Sequence, residues 1–139
     1  MDNSKKPVIH LKIIAPERIF YDDYVDMVEL NTVEGELGVL PGHIPLTTII
    51  EPGILRITKD DEEKEAALLS GFMEIKKDSI TILAEACEWP EEIDINRAKE
   101  ARIRAERRLK GLEGKINIPR AEISLKRSIA RLDLADKYR

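Results

Sequence analysis

The stretch GELGVLPGHIPL, residues 35–46, decides the architecture of the first half of this 139-residue chain. Three glycines and two prolines fall within its first eleven residues, so no helix can run through it. Glycines allow positive φ and prolines remove backbone donors, which together predict loop and short strand with a tightly specified backbone. The chain around this stretch is therefore expected to form strands.

Two hairpins are predicted downstream of this stretch, because apolar residues alternate with polar ones and polar turns interrupt them. Leu55 and Ile57 alternate with polar neighbours before the charged run 59–63, which has the composition of a hairpin turn. Residues 72–75 and 80–83 then flank a second compact polar connection. Period-two patterns punctuated by turns predict an all-β sandwich for residues 1–90.

Beyond residue 92 the apolar period changes to that of a helix. Asp94 is suited to cap the first helix, and Pro119 is suited to the first position of the second. Gly111 and Gly114 break the run between them. The first stripe consists of Ala98, Ala101, Ala105, Leu109 and Leu112, and the second of Ala121, Leu125, Ser128, Leu132 and Ala135. Residues 91–139 are therefore predicted to form an antiparallel two-helix hairpin, whose alanine-rich interface buries little apolar area.

The composition excludes several classes of protein. Cys87 is the only cysteine, which excludes an intramolecular disulfide and a cysteine-rich zinc site and favours a buried, inert thiol. His10 and His43 are too few to suggest a metal cluster, and neither GxGxxG nor a phosphate-binding loop occurs. No run approaches the roughly 20 apolar residues of a membrane span, and MDNSKK does not lead into a signal-peptide core. We expect a cytoplasmic protein without a catalytic or metal site.

Charge divides the chain into two parts. Residues 1–92 carry nine Lys/Arg and twenty Asp/Glu, a net charge of −11, whereas residues 93–139 carry fourteen and seven, a net charge of +7. On a helical projection the arginines fall beside the apolar stripes, at positions Arg97, Arg104 and Arg108 on the first helix and Arg127 and Arg131 on the second. A solvated basic face is the ordinary interpretation. Guanidinium groups also suit phosphate, so an anion site remains an alternative, and in the closed hairpin these cations would repel one another.

The residues 35–46 resemble the signature of the ATP synthase epsilon chain family, and residues 69–75 resemble its Gly-Gly-Phe strand, with Ser70 where a glycine is often found. The resemblance implies a sandwich of about ten strands followed by two helices. It also implies a non-catalytic rotor subunit that binds the gamma subunit and the c-ring, at the cytoplasmic face of the bacterial cell membrane. Such a subunit couples proton or sodium flow to ATP synthesis and restrains hydrolysis when its hairpin opens into the α/β hexamer.

The resemblance extends to the ATP site of bacillus-type members, whose motif Ile/Leu-Asp-x-x-Arg-Ala occurs here at residues 93–98. It implies ATP as a regulatory ligand, with or without magnesium, held by Glu88, Ile93, Asp94, Arg97, Ala98, Arg104, Arg127 and Arg131. ATP would hold the hairpin shut, and low ATP would release it. Two alternatives stay open: a rotor subunit whose hairpin is a mechanical brake without ATP sensing, and an adaptor for nucleic acid or another polyanion. The second is disfavoured because Tyr138 is the only aromatic residue of the hairpin.

Overall fold

A computed structural model of the protein describes residues 6–111 and 117–139, which form ten strands followed by a 3-10 turn and two helices. The strands are β1 Ile9–Ala15, β2 Arg18–Val25, β3 Met27–Thr32, β4 Gly35–Val39, β5 Leu46–Ile50, β6 Gly53–Lys59, β7 Glu62–Leu68, β8 Gly71–Ile75, β9 Ser79–Ala84 and β10 Cys87–Glu88. The 3-10 turn Pro90–Glu92 leads to α1 Ile95–Leu109 and α2 Ile118–Tyr138. The predicted fold class, a β-sandwich followed by a helical hairpin, is confirmed.

The strands join in the order β10-β7-β6-β3-β5-β8-β9-β1-β2, with β4 paired on β3. Neighbouring strands are antiparallel except β1 and β9, which run parallel. Alternate side chains of the strands point into one aliphatic core, as the period-two pattern requires. Its fully buried members include Ile9, Leu11, Ile13, Leu55, Ile57, Met73, Ile75, Ile80 and Ile82.

The turns lie where the sequence places them. Asp60 and Asp61 have φ values of 50° and 65°, which is the left-handed backbone of a tight turn between β6 and β7. The Gly/Pro stretch supplies β4, a loop and the start of β5. Cys87 is buried, and burial raises the pKa of its thiol to about 12, consistent with an inert group.

Both helices have the side-chain caps that fix their first turns. Asp94 Oδ1 accepts from the Arg97 backbone N–H at 3.0 Å, as predicted, and Asn117 Oδ1 does the same for Arg120 at 3.1 Å. Pro119 is the second residue of α2 rather than the first, since the helix begins at Ile118. The predicted stripe residue Leu112 and the predicted breaker Gly114 lie outside the described residues.

The second helix has a buried face that the sequence analysis missed. Ala130 and Leu134 are buried against Ala67 of β7 and Leu69, so α2 packs on the sandwich as well as on α1. In contrast, the predicted stripe residues Leu125 and Leu132 are only partly buried. The hairpin is folded back on the sandwich, and its stability therefore includes this second interface. Within the described ranges no helix is both long and apolar enough to cross a bilayer.

Candidate functional site

The segment that joins the sandwich to α1 is fixed to β2. Both guanidinium Nη atoms of Arg18 lie 2.8 Å from the Glu92 carboxylate, and Arg18 holds the pKa of Glu92 below its usual value. Trp89 stacks on Phe20 with ring centroids 4.4 Å apart. The carboxylate of Glu92 also accepts from the Trp89 backbone N–H at 2.8 Å. We call this segment, residues 89–94, the joint. These contacts fix it to β2 as far as Glu92, and Glu88 lies directly before it.

Two of the predicted arginines bind carboxylates of the sandwich near this joint. Arg131 binds Glu88 through two parallel hydrogen bonds, Nε to Oε1 at 2.9 Å and Nη2 to Oε2 at 2.7 Å, and both side chains are about a quarter exposed. One turn earlier on α2, Arg127 Nη2 lies 2.6 Å from Glu85 Oε2, while its Nε donates to Ser70 Oγ at 3.3 Å. Each of the two arginines therefore has a carboxylate partner, which offsets the repulsion that the sequence predicts between them.

The motif at residues 93–98 has structural roles of its own. Ile93 and Ala98 are buried, and Ile93 belongs to the cluster that includes Ala67, Leu69 and Leu134. Asp94 caps α1. The side chains of Arg97 and Arg104 are exposed and make no ion pair or hydrogen bond with the part of the chain that the structure describes.

The structure therefore brings Glu88 and Arg131 into contact and leaves Arg97 and Arg104 in solvent. A guanidinium can exchange a carboxylate for phosphate oxygens without changing its geometry, because both acceptors match its two parallel donors. Arg127 and Arg131 thus carry donors of the kind that phosphate oxygens accept, and in this structure those donors bind Glu85 and Glu88. For the residues described, no group of three carboxylate, histidine or cysteine side chains could hold a metal ion.

Sequence reasoning did not predict that Glu85 and Ser70 contact Arg127. Ser70 has a φ of 76°, a conformation that favours glycine, and it stands at the position where the resembled family often has glycine. Glu85 is an exposed glutamate directly after β9, and nothing in the neighbouring sequence predicts its contact with α2. A groove of about 700 Å³ also lies between α2 and the sheet, but it contains none of the predicted site residues and runs along the other flank of α2, beside Lys126 and Asp133.

An exposed apolar row crosses five adjacent strands on the outer face of the sandwich. Strand registers place each member directly opposite the next: Ile19, Ile14, Leu83, Phe72 and Ile49. Ile49 is 59% exposed and Phe72 is 48% exposed. An apolar row of this length on a solvated sheet face is typical of a protein interface. The signal in the sequence was the apolar residue at outward positions of several predicted strands.

Comparisons with known proteins agree on one family. The family model described as the ATP synthase delta/epsilon chain β-sandwich domain matches residues 8–90, and the one described as its long α-helix domain matches residues 91–136. The chain is 47% identical over 130 residues to the ATP synthase epsilon chain of Caldanaerobacter subterraneus subsp. tengcongensis, covering 93% of this chain and 94% of that one. It is 44% identical over 132 residues to that of Halalkalibacterium halodurans, covering 94% and 99%.

Among solved structures, the fold is similar to a chain of the Euglena gracilis mitochondrial ATP synthase, with a TM-score of 0.79 at 23% identity over 97% of this chain and 85% of that one. That likeness concerns the fold alone. Identity at the level of the bacterial relatives, over nearly the full length of both chains, extends to the kind of subunit. The chain belongs to the ATP synthase delta/epsilon chain family, as a non-catalytic subunit rather than an enzyme.

Proposed function

We propose that this protein is a rotor subunit of a bacterial F-type ATP synthase, and that its hairpin is an ATP-sensitive restraint on ATP hydrolysis. The observation that carries the proposal is the position of Arg127 and Arg131. Arg131 binds Glu88, which lies shortly before α1, and Arg127 binds Glu85 directly after β9, so an anion bound by the two arginines would hold α2 against this end of the sandwich.

The sandwich is proposed to bind the gamma subunit through the apolar row Ile19, Ile14, Leu83, Phe72 and Ile49. The row needs a partner because exposed aliphatic and aromatic side chains in register gain free energy when they leave water. The loop after β4 is proposed to face the c-ring, since Ile44 is 79% exposed and Leu40 is 54% exposed. This arrangement would place the protein at the cytoplasmic face of the cell membrane.

ATP is proposed to bind by replacing Glu85 and Glu88 as the acceptors of the two arginines. Arg97 and Arg104, which are exposed on α1, would supply further positive charge, while Glu88 and Asp94 would contact the base and ribose. A ligand that binds only the closed form shifts the hairpin toward closure by its binding free energy. At low ATP the basic helices would be released to acidic segments of the α/β hexamer and would block rotation.

Calorimetric titration of the full chain with ATP tests the site. Arg127→Ala is expected to weaken ATP binding about tenfold or more, because a hydrogen bond to a charged group contributes roughly 1.5–3 kcal/mol. Arg120→Ala is the matched control, since Arg120 is an exposed α2 arginine about two turns before the partly buried Arg127. Unchanged affinity in Arg127→Ala would remove that residue from the site, and a wild-type chain that does not bind ATP would refute nucleotide sensing.

A mechanical brake without ATP sensing is the second candidate. The ion pairs of Arg131 with Glu88 and Arg127 with Glu85 favour it, because they close the hairpin with no anion present. Deletion of residues 93–139 is expected to leave assembly with gamma intact and to raise ATP hydrolysis by the reconstituted complex under both hypotheses. Only the sensing hypothesis also requires Arg127→Ala to change how inhibition depends on ATP. A truncated chain that fails to bind gamma would show that the two halves do not divide the work in this way.

A further inference from the structure

Glu65 is a buried carboxylate on the face of β7 that α2 covers. Its side chain is only 3% exposed, whereas Glu63 on the same face of the strand is 59% exposed. Burying an unpaired carboxylate costs free energy, so a carboxylate as buried as Glu65 requires donors around it.

Three donors converge on this carboxylate, and two of them come from the last turn of α2. Lys137 Nζ lies 2.7 Å from Oε1 and 3.0 Å from Oε2, and the Tyr138 hydroxyl donates to Oε1 at 2.7 Å. Arg56 on the adjacent strand β6 contacts Oε2 at 3.2 Å. Oε1 therefore has a protein partner only while the end of α2 lies on the sheet, whereas Oε2 also has Arg56.

The same turn also reaches the joint before α1. Arg139 donates through Nη1 to the Ile93 carbonyl at 3.0 Å and through Nη2 to the Pro90 carbonyl at 2.9 Å. Since Arg18 already fixes the joint to β2 through Glu92, this contact ties the end of α2 to a rigid part of the molecule.

We infer that Lys137 and Tyr138, bound to Glu65, and Arg139, bound to the carbonyls of Pro90 and Ile93, form a clamp that holds α2 on the sandwich independently of Arg127 and Arg131. The carboxylates of the other ion pairs between α2 and the sandwich are less buried than that of Glu65. Lys126–Glu51 and Arg127–Glu85 are solvent-accessible pairs, which contribute little, and Arg131–Glu88 is partly hydrated. Lifting the end of α2 breaks the contacts of Lys137 and Tyr138 with Glu65, and the carboxylate then keeps Arg56 as its partner on the sheet while water replaces the other two donors. Opening of the hairpin therefore has to break this contact, and the clamp works whether or not the protein binds ATP.

Hydrogen–deuterium exchange of the full chain, measured without nucleotide, tests the clamp. Glu65→Gln is expected to make the amides of α2 exchange about tenfold faster or more, because it removes the charge that Lys137 and Tyr138 hold. Exchange in β8 and β9 should stay as in the wild type. Glu62→Gln is the matched control, an exposed position on the same strand, and should exchange as the wild type does. Unchanged α2 exchange in folded Glu65→Gln protein would overturn the inference.

A second variant covers the case in which Glu65→Gln also loosens the sandwich. The double substitution Lys137→Met and Tyr138→Phe removes both α2 donors and leaves every sandwich residue in place. Faster exchange confined to α2 and the joint supports the clamp, and wild-type exchange in this variant overturns it.

Discussion

The backbone at Ser70 and Gly71 adopts a conformation that side chains seldom tolerate. Gly71 has a φ of +136°, and a Cβ built there would lie 2.1 Å from the Leu83 carbonyl oxygen on β9. The β8–β9 pairing brings that carbonyl close, so the glycine is needed for both its dihedral angle and its lack of a side chain.

We expect Gly71→Ala to lower the free energy of unfolding by more than about 2 kcal/mol, as strain and the close contact add. Urea unfolding followed by circular dichroism would measure this value. Gly42→Ala separates the two causes, since Gly42 has a φ of +81° but nothing within 4 Å of a built Cβ. Equal losses in both variants would mean that the dihedral angle alone matters and that the close approach of Leu83 costs nothing.

Glu65 is also expected to make hairpin docking sensitive to acid. Burial opposes its ionisation, but hydrogen bonds from Lys137 and Tyr138 and the nearby Arg56 outweigh burial and hold the pKa of Glu65 below its ordinary value of 4.5. A lowered folded-state pKa stabilises the fold above the unfolded-state pKa, and this contribution is lost as the pH falls through the folded-state value. Hydrogen bonds to Glu65 raise the pKa values of Arg56 and Tyr138, so neither changes its protonation over this range.

The difference in unfolding free energy between the wild type and Glu65→Gln isolates this group from the other carboxylates. It should be largest near neutral pH and should shrink below about pH 4.5. Urea unfolding at pH 7 and at pH 3.5 would give the two differences. A difference that does not depend on pH would show that the charge of Glu65 contributes nothing to docking.

At the scale of the element, Asp94 caps α1, and one pair of substitutions separates the effect of its hydrogen bond from that of its charge. Its carboxylate caps α1 by accepting from the Arg97 backbone N–H, and the proposed function also gives it a contact with nucleotide. Asp94→Ala is expected to cost about 1 kcal/mol of α1 stability, seen as faster hydrogen exchange in the first turns of α1. Asp94→Asn keeps the cap and should leave α1 unchanged. If Asn also loosens α1, the charge on the helix dipole rather than the hydrogen bond is what stabilises the first turn.

The elements themselves follow from local sequence, whereas their docking does not. The polar run 59–63, the cap Asp94 and the breaker Gly111 act within a few residues, and each marks the boundary it predicts. The β7 sequence EEKEAAL gave no sign that Glu65 would be buried, because the face it shares with Ala67 is covered by a helix whose Lys137 lies 72 residues away. Ala130 and Leu134 were missed for the same reason. Helical periodicity identified one apolar stripe on α2, whereas the helix packs against two partners, α1 and the sandwich.

The predicted site was limited in a similar way. The motif at residues 93–98 and the arginine spacing located the joint, but the carboxylates that occupy Arg127 and Arg131 could be recognised only once β8, β9 and α2 were assembled. The outer apolar row depends on strand order as well, because its five members come from β1, β2, β5, β8 and β9, which are distant in the chain except for the pairs β1–β2 and β8–β9.

At the scale of the whole molecule, the opposite charges of the two halves are partly neutralised inside one chain. Residues 1–92 have a net charge of −11 and residues 93–139 a net charge of +7, and α2 contributes ion pairs to Glu51, Glu65, Glu85 and Glu88 on the sandwich. Residues 126–137 of α2 therefore lie along acidic side chains of the sandwich that attract them. In the closed hairpin, part of the positive charge that we propose to act on the α/β hexamer is paired with carboxylates of the sandwich.

This attraction should make docking sensitive to salt while the sandwich core is not. The Debye length falls from about 10 Å at 0.1 M salt to about 3 Å at 1 M, which screens the exposed Lys126–Glu51 and Arg127–Glu85 pairs strongly. The buried contact at Glu65 and the apolar packing of Leu134 are screened much less, so we expect a partial effect. Amide exchange in α2 should rise about two- to fivefold between 0.05 M and 1 M NaCl at fixed pH, with exchange in β8 and β9 as the internal reference. Unchanged exchange in α2 would mean that apolar packing and the clamp hold the helix alone, and that the charge division between the two halves serves only contacts with other subunits.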